Sequence, residues 1–599
     1  MDDQNKNLIL ATVLSFLVIM TWFVLFPPPE QTADPNAPAT SESAEATDGV
    51  ATPTADTTGD SATSATTEPE TTAVDAPRLT IDTPSLKGSL SLQGGRIDDL
   101  SLKNYRQTIQ PDSDIVQLLR PVGSDAPYYA LFGWAAGTGL TPDLVPGANT
   151  IWQGDAAATL TPESPVTLTW DNGAGLKFQR QISVDEDFMF TVTQSVENTG
   201  DGSVSLAPYG TLARHGEPDD VKNFFILHEG GIRMVDGELT ETDYDEFEPA
   251  RDAEKVTVAA TGWTGFTDHY WMTTLIPADG AGAKFRTFQN TRNTIFQTDA
   301  TLSTLQIAPG ETASVSTRLF AGAKEWETIR NYQNDEGVEG FLDSIDWGWF
   351  FFLTKPIFWL LHNLNAVIGN MGWSIIALTL IIKAILLPLA YKSYVSMAKM
   401  KELQPEMEKI KERAGDDRQV MQKEMMALYK KEKVNPASGC LPILLQIPIF
   451  FSLYKVIFVT LELRHAPWFG WIKDLSAPDP SSIYNLWGIF PWDGPEPGSI
   501  LALIFIGILP LILGISMWLQ QKLNPAPTDP TQQMIFAWMP WVFMFMLGSF
   551  ASGLVVYWIA NNMITFSQQY LIMRSQGYKP DVFGNIKSSF KRKPKPDDK

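Results

Sequence analysis

Among side chains whose type and setting could do chemistry, Lys383 stands out, because it is the only charged residue in the otherwise apolar stretch at 373–391. An ammonium there can attract an anion or donate hydrogen bonds to a polar segment, but it needs a medium that tolerates its charge. It lies eight residues before Tyr391, about 12 Å along a helix, whereas a lysine side chain reaches about 6 Å. Snorkelling to the interface therefore falls short. A lysine at the centre of a span costs about 2.5–3.5 kcal/mol, so it should face water or a partner. The later apolar runs contain no Asp or Glu, which favours a wet cavity over an ion pair that merely holds helices together.

Other polar groups could line such a cavity. Thr379 is one helical turn before Lys383, on the same face. Gln446 sits between Pro442 and Pro448, and prolines in a span free carbonyls that water can reach. Ser516, Asn561, Asn562 and Thr565 occupy the later runs. Each is ordinary in a packed membrane helix; together they predict a polar concavity opening toward the cytoplasm.

Enzymatic chemistry finds no support. There is no phosphate-binding G-x-x-x-x-G-K-[ST] loop, no H-E-x-x-H and no G-x-S-x-G elbow. The five histidines, 215, 228, 269, 362 and 465, are scattered without ligand spacing, and Cys440 is alone, so neither a metal, a cofactor nor a disulfide framework is expected. FTDHYW, 266–271, places Asp268 and His269 among aromatics, but it nominates no third partner and reads as a polar turn beside a core.

These groups must be carried by membrane-crossing helices. Residues 8–26 are uncharged over the length that crosses a hydrocarbon core, and similar runs recur at 373–391, 441–461, 500–519, 534–550 and 551–573. The first lacks a small-residue cleavage site and reads as an uncleaved anchor. Residues 27–346 hold 19 Lys+Arg against 49 Asp+Glu, a net −30; the whole chain is −23, so the remainder is +7. Lys and Arg gather at 392–433, where there are eleven, and after 573, where there are eight. Positive charge marks the cytoplasmic side.

Six alternating spans follow. The expected order is a cytoplasmic start (1–7), an anchor (8–26), a disordered tether (27–77), an outer β-domain (78–335), and a linker with an interfacial helix (336–370). Then come the second span (371–391), a cytoplasmic hairpin (392–436), the third span (437–461), an outer loop (462–498) and the fourth span (499–520). A short inner loop (521–531), the fifth (532–550) and sixth (551–573) spans and a basic tail (574–599) complete it.

The tether is Pro, Ala, Thr, Ser and acid, too polar to fold. Beyond it, PVTLTW-DNGAG-LKFQRQISV reads as a hairpin, and DFMFTVTQSV and ASVSTRLF repeat the period of two, predicting a large antiparallel β-sandwich. WGWFFFLTKPIFWLLHNLNAVIGN, 347–370, suits a helix lying in the interface or one packing the β-domain on the membrane. Met400, Leu403, Met407 and Ile410, with Met421, Met425 and Leu428, form the expected seam of an antiparallel hairpin joined at AGDD. Its methionines could offer varied clients an adaptable surface, and its lysines and those of the tail could meet ribosomal phosphate.

The segment SYVSMAKMKELQPEMEKIKERAGDDRQVMQKEMMALYKKEKVNPASGCLPILLQIPIFFSLYKVI closely resembles the YidC/Oxa/Alb family of membrane protein insertases. LELRHAPWFGWIKDLSAPDP, DPTQQMIFAWMP and SGLVVYWIANNMITFSQQYLI continue the likeness over about 347–575. The tethered β-domain resembles that of the bacterial form, whose sandwich is similar to sugar mutarotases without their activity.

The resemblance implies an inner-membrane insertase and chaperone with a five-helix core around a hydrophilic groove. Its partners would be nascent inner-membrane proteins, membrane lipids, the Sec translocon and the ribosome, and its core would be monomeric. Lys383 matches the groove's positive residue, where the family usually has Arg. Thr379, Gln446, Phe450 and Tyr557 match groove-lining or client-contacting positions, and Trp558 stands where a second tyrosine is common. Other readings are a secondary transporter, for which no internal repeat is seen, and a periplasmic receptor or scaffold acting through the β-domain.

Overall fold

The computed structural model describes residues 47–48, 71–72 and 76–578, apart from 139, 219–220, 222–226, 291–293, 416, 433, 435–440, 488, 493, 496–498, 500, 502–503 and 525–529. The first anchor, nearly all of the tether and the tail beyond 578 lie outside the described residues.

Period-two sequence builds two sheets. An eight-stranded sheet runs from the strand Glu238–Asp243 to Val166–Asp171, and an eleven-stranded one from Val256–Thr257 to Thr159–Leu160. Among the described strands pairing is antiparallel except between Arg78–Asp82 and Thr159–Leu160, and an isolated parallel bridge joins Pro249 and Gln289. The hairpin expected at 166–184 forms with Trp170 opposite Phe178, and Leu176, Phe178, Ile182 and Val184 all point inward. Phe178 meets Trp134 of the other sheet at 6.1 Å, so both layers share one core. At Gly265 a Cβ would stand 1.8 Å from the Thr273 carbonyl oxygen, so only glycine lets these neighbouring strands approach.

Two inward positions of the sandwich are polar. Arg180 follows the same alternation into the core, where it donates to the carbonyls of Gly94 (2.9 Å), Gly95 (3.2 Å) and Phe132 and lies over the Trp152 ring. Burial pulls its pKa down to about 9. Asp299, also buried, accepts from Thr211 Oγ1 and Gln297 Nε2, both at 2.8 Å. Burial lifts its pKa to about 6, against the opposing pull of these bonds and of Arg286 and Lys255.

A raised carboxylate pKa means that the folded state binds the proton more tightly than the unfolded one. Asp299 therefore lowers stability above pH 6, and this penalty is relieved as the pH falls from 6 toward 4. Asp299→Asn keeps both acceptor contacts without the charge and is expected to gain on the order of 1–3 kcal/mol at pH 7. The gain should shrink toward pH 4, as thermal melts at the two pH values would read; an equal gain at both would refute the assignment.

Helix α1, Trp326–Asn334, ends the sandwich, and α2, Phe351–Ile368, contains Pro356 in its second turn, where it removes one backbone bond, to the Phe352 carbonyl. Thr354, Ile357, Phe358 and Leu361 of α2 are buried, whereas Trp349 (94% exposed), Phe351, Phe352 and Trp359 are uncovered. Phe358 meets both Trp326 and Trp347. One face thus packs against Trp326 and Trp347, and the other is uncovered.

The stretch at 371–391 is not one straight span. It divides into α3, Met371–Ile385, and α4, Leu387–Glu402, bent by 69°. Pro388 in the first turn of α4 cannot donate a backbone bond and restarts the helix in a new direction. Helices α5, Gln404–Ala414, and α6, Arg418–Lys431, form the hairpin around Met407, Ile410 and Leu428, with Leu403 and Met425 against them. Met400 departs from the expected seam: it belongs to α4, because Pro405 starts a fresh helix at Gln404. Met421 also lies outside that cluster.

The described residues continue with α7, Leu441–Val459; α8, Ile508–Gln521; α9, Pro530–Met546; and α10, Ser552–Ser575. Ile375, Leu378, Leu453, Ile457, Leu513, Leu554 and Val555 make their common core. Among the described residues no single helix is long and apolar enough to cross a membrane; α3 and α4 pass that test together.

Sandwich and bundle meet through specific contacts. Lys455 of α7 pairs with Asp346, Arg464 donates to the Arg106 carbonyl at 2.6 Å, and His269 Nε2 lies 2.8 Å from the Phe458 carbonyl. The FTDHYW turn is therefore a docking element, with Asp268 held by Arg214 at 2.7 Å.

Candidate functional site

Three helices each contribute a pair of residues one turn apart. Thr379 and Lys383 come from α3, Gln446 and Phe450 from α7, and Tyr557 and Asn561 from α10. Four-residue spacing stacks each pair on one face, and the apolar seam between the helices turns those faces toward one another.

Lys383 Nζ donates to Gln446 Oε1 at 2.9 Å. The Gln446 amide nitrogen in turn donates to Asn561 Oδ1 and, at 3.3 Å, to the Tyr557 hydroxyl. One glutamine side chain thus joins α3, α7 and α10. Lys383, Tyr557 and Asn561 are all buried. Thr379 lines the same spot, but its hydroxyl turns back to the Ile375 carbonyl at 2.7 Å. Phe450 and Trp558 meet edge to face at 4.9 Å, outside the residues that line this spot.

The remaining polar residues do not join this cluster. Asn562 donates to Ser516 Oγ at 3.0 Å and Ser516 to the Leu513 carbonyl, a separate link between α10 and α8. Thr565 Oγ1 and Trp558 Nε1 are buried with no hydrogen-bond partner.

The expected open concavity is not seen. Beside Lys383 lies a pocket of ≈ 10 Å³, lined by Thr379, Ile382, Leu386, Gln446, Ile449, Tyr557 and Asn561, room for about one water. The physical reason is the Gln446 amide, which fills the space between the three helices and gives the ammonium a partner. A hydrogen bond to a charged group contributes about 1.5–3 kcal/mol, comparable to the cost of placing a lysine in the membrane.

Charge remains uncompensated. Lys455, on the same helix as Gln446, has a carboxylate partner in Asp346, whereas no ion pair involves Lys383 among the described residues. What this arrangement can do is hold positive potential and exchangeable hydrogen bonds within an apolar bundle. Among the described residues no group of three or more His, Cys, Asp or Glu is placed to hold a metal.

Comparison with known proteins gives the frame for this site. Residues 78–360 match the family described as the YidC periplasmic domain, and residues 363–579 the 60Kd inner membrane protein family. The chain is 68% identical over 611 residues, covering 100% of both chains, to the membrane protein insertase YidC of Roseobacter denitrificans. It is 65% identical to that of Ruegeria pomeroyi over the full length of both. A crystal structure of an active YidC insertase aligns over 83% of this chain and 93% of its own, with 17% identity and a TM-score of 0.35. A galactose mutarotase related enzyme from Lactobacillus acidophilus aligns over 41% of this chain and 97% of its own, with 11% identity and a TM-score of 0.29. By its matches along the full length, the chain belongs to the YidC family of membrane protein insertases, which are not enzymes, and it resides in the bacterial inner membrane with its β-domain in the periplasm.

Proposed function

We propose that Lys383 and Gln446 form the polar centre of an insertion groove, in which the hydrophilic end of a client pauses while its apolar segment moves into lipid. The observation that carries this reading is a cation in an apolar bundle whose partner is a neutral amide. An amide can exchange that bond for one to an incoming polar or acidic segment without stranding a carboxylate. The Tyr557 hydroxyl, already bonded to Gln446, would donate to the freed Oε1 as the amide turns. The pocket beside Lys383 would widen as the client enters, and the bend between α3 and α4 supplies a place for that motion.

The energetics suffice without nucleotide hydrolysis. Twenty residues rich in Leu, Ile and Phe gain about 0.3–0.6 kcal/mol each on entering the bilayer, roughly 6–12 in all, which offsets transfer of a short polar tail. Hydrating that tail halfway across lowers the barrier. Thr379, Phe450 and Trp558 would line the path, and Ser516, Asn562 and Thr565 its cytoplasmic approach. In this reading the protein also assists folding of inner-membrane proteins and works alone or with the Sec translocon, with the α5–α6 hairpin and the basic tail meeting the ribosome.

Photocrosslinkers at Gln446 and Trp558 are expected to capture a stalled client carrying an apolar segment. Failure at both positions, with the client still inserted, would sink the groove.

A further inference from the structure

A much larger chamber, of ≈ 1330 Å³, lies between the sandwich, the 343–351 linker and the face of α7 next to Gln446. It exceeds the roughly 300–1,000 Å³ of small-ligand pockets. Apolar and charged groups both line it, with Met234 and Leu239 of the sandwich among the carboxylates. Ile447 and Phe451, one turn apart on α7, form an apolar floor and stay 46% and 41% exposed. The next turn brings Ser452 and Lys455, and beyond them the edge hairpin of the sandwich presents Glu241, Asp243, Asp245 and Glu246. Ser452 is 1% exposed, yet its hydroxyl has no hydrogen-bond partner.

Among the described residues eight carboxylates and two lysines line the space, an excess of six negative charges. Both lysines have carboxylate partners: Lys455 pairs with Asp346 and Lys355 with Asp343. Trp349, 94% exposed, stands at the rim.

We propose that this chamber binds a phospholipid with a primary-amine headgroup, of the phosphatidylethanolamine type. Its acyl chains lie along Ile447 and Phe451, its phosphate sits at the level of Lys455 and Ser452, and its ammonium reaches Glu241 and Glu246 beside Trp349. An apolar patch on α7 beside an excess of carboxylates suits a lipid whose headgroup ends in an amine. Ammonium to carboxylate gives charge-assisted hydrogen bonds, and an indole face adds a cation–π contact. A cationic polypeptide would satisfy the carboxylates but leave the apolar floor uncovered, and an anionic lipid would meet the carboxylates without a countercharge. The assignment does not depend on the groove at Lys383.

The full-length protein in detergent, given equimolar phosphatidylethanolamine and phosphatidylglycerol of identical chains, is expected to retain the former about tenfold more or better in native mass spectrometry, the scale of one charge-assisted contact. Glu241→Gln with Glu246→Gln should bring that ratio toward one while melting temperature and client insertion stay unchanged. Equal retention by the parent, or an unaltered ratio in the double variant, would overturn the proposal. Displacement of the lipid by an oligolysine peptide would assign the chamber to a cationic polypeptide instead.

Discussion

Lys383→Glu is expected to lower insertion of clients with acidic translocated tails by about tenfold or more in proteoliposomes, while Lys383→Arg stays within about twofold of the parent. The argument is electrostatic. Two unit charges 4 Å apart interact by about 4 kcal/mol at an effective dielectric of 20, so reversing the sign converts an attraction of that order into a repulsion. The bundle itself should tolerate glutamate, because the Gln446 amide and the Tyr557 hydroxyl can both donate to a carboxylate where they now face an ammonium.

Arginine keeps the charge and can still donate to Gln446 Oε1. Lys383→Met removes the charge at similar length, and is expected to impair acidic-tail clients while sparing those with short uncharged tails. Unchanged thermal melts would confine the effect to function. Full insertion of acidic-tail clients by the glutamate variant would remove the electrostatic role.

Asp346→Ala should destabilise the junction of sandwich and bundle by about 3 kcal/mol or more, because it strands a charge. Lys455 Nζ is bonded to Asp346, its side chain is only 7% exposed, and the same carboxylate accepts from the His228 backbone at 3.0 Å. Removing one member of a buried pair is far more costly than removing both. Asp346→Asn combined with Lys455→Met should therefore recover most of the loss, since the asparagine keeps the acceptor for His228 and the methionine keeps the volume. Melting temperature in detergent and protease sensitivity of the 341–350 linker would read both effects. A single variant that melts with the parent would show that the pair is solvated and contributes little.

Local pattern carried much of this architecture. Alternation at 166–171 and 176–184 announced a hairpin, and the structure forms it in register. The spacing of Met407, Ile410 and Leu428 announced the α5–α6 core, while Met400 was misjudged because a helical spacing was read through Pro405. The bend at Pro388 is not legible in the apolar run at 373–391, which reads as one span: proline removes a backbone bond, and the 69° angle is set where both halves pack in the bundle.

Arg180 and Asp299 escaped notice altogether. Nothing in LKFQRQISV separates an inward arginine from an outward one except its place in the alternation, and the carbonyls that receive it lie some 50 to 90 residues away.

The sequence by itself determined that a lone cation sits in an apolar stretch, that acidic and basic residues gather in different parts of the chain, and which family this chain resembles, because hydropathy, charge and motif are properties of the linear chain. Only the tertiary structure decided that Lys383 meets Gln446 rather than open water, that Asn562 and Ser516 form a link of their own, and that Asp268 and His269 belong to a docking turn. Hydrogen bonds are short and directional, so which polar groups meet depends on helix rotation and offset, and these are set by the apolar packing of the whole bundle.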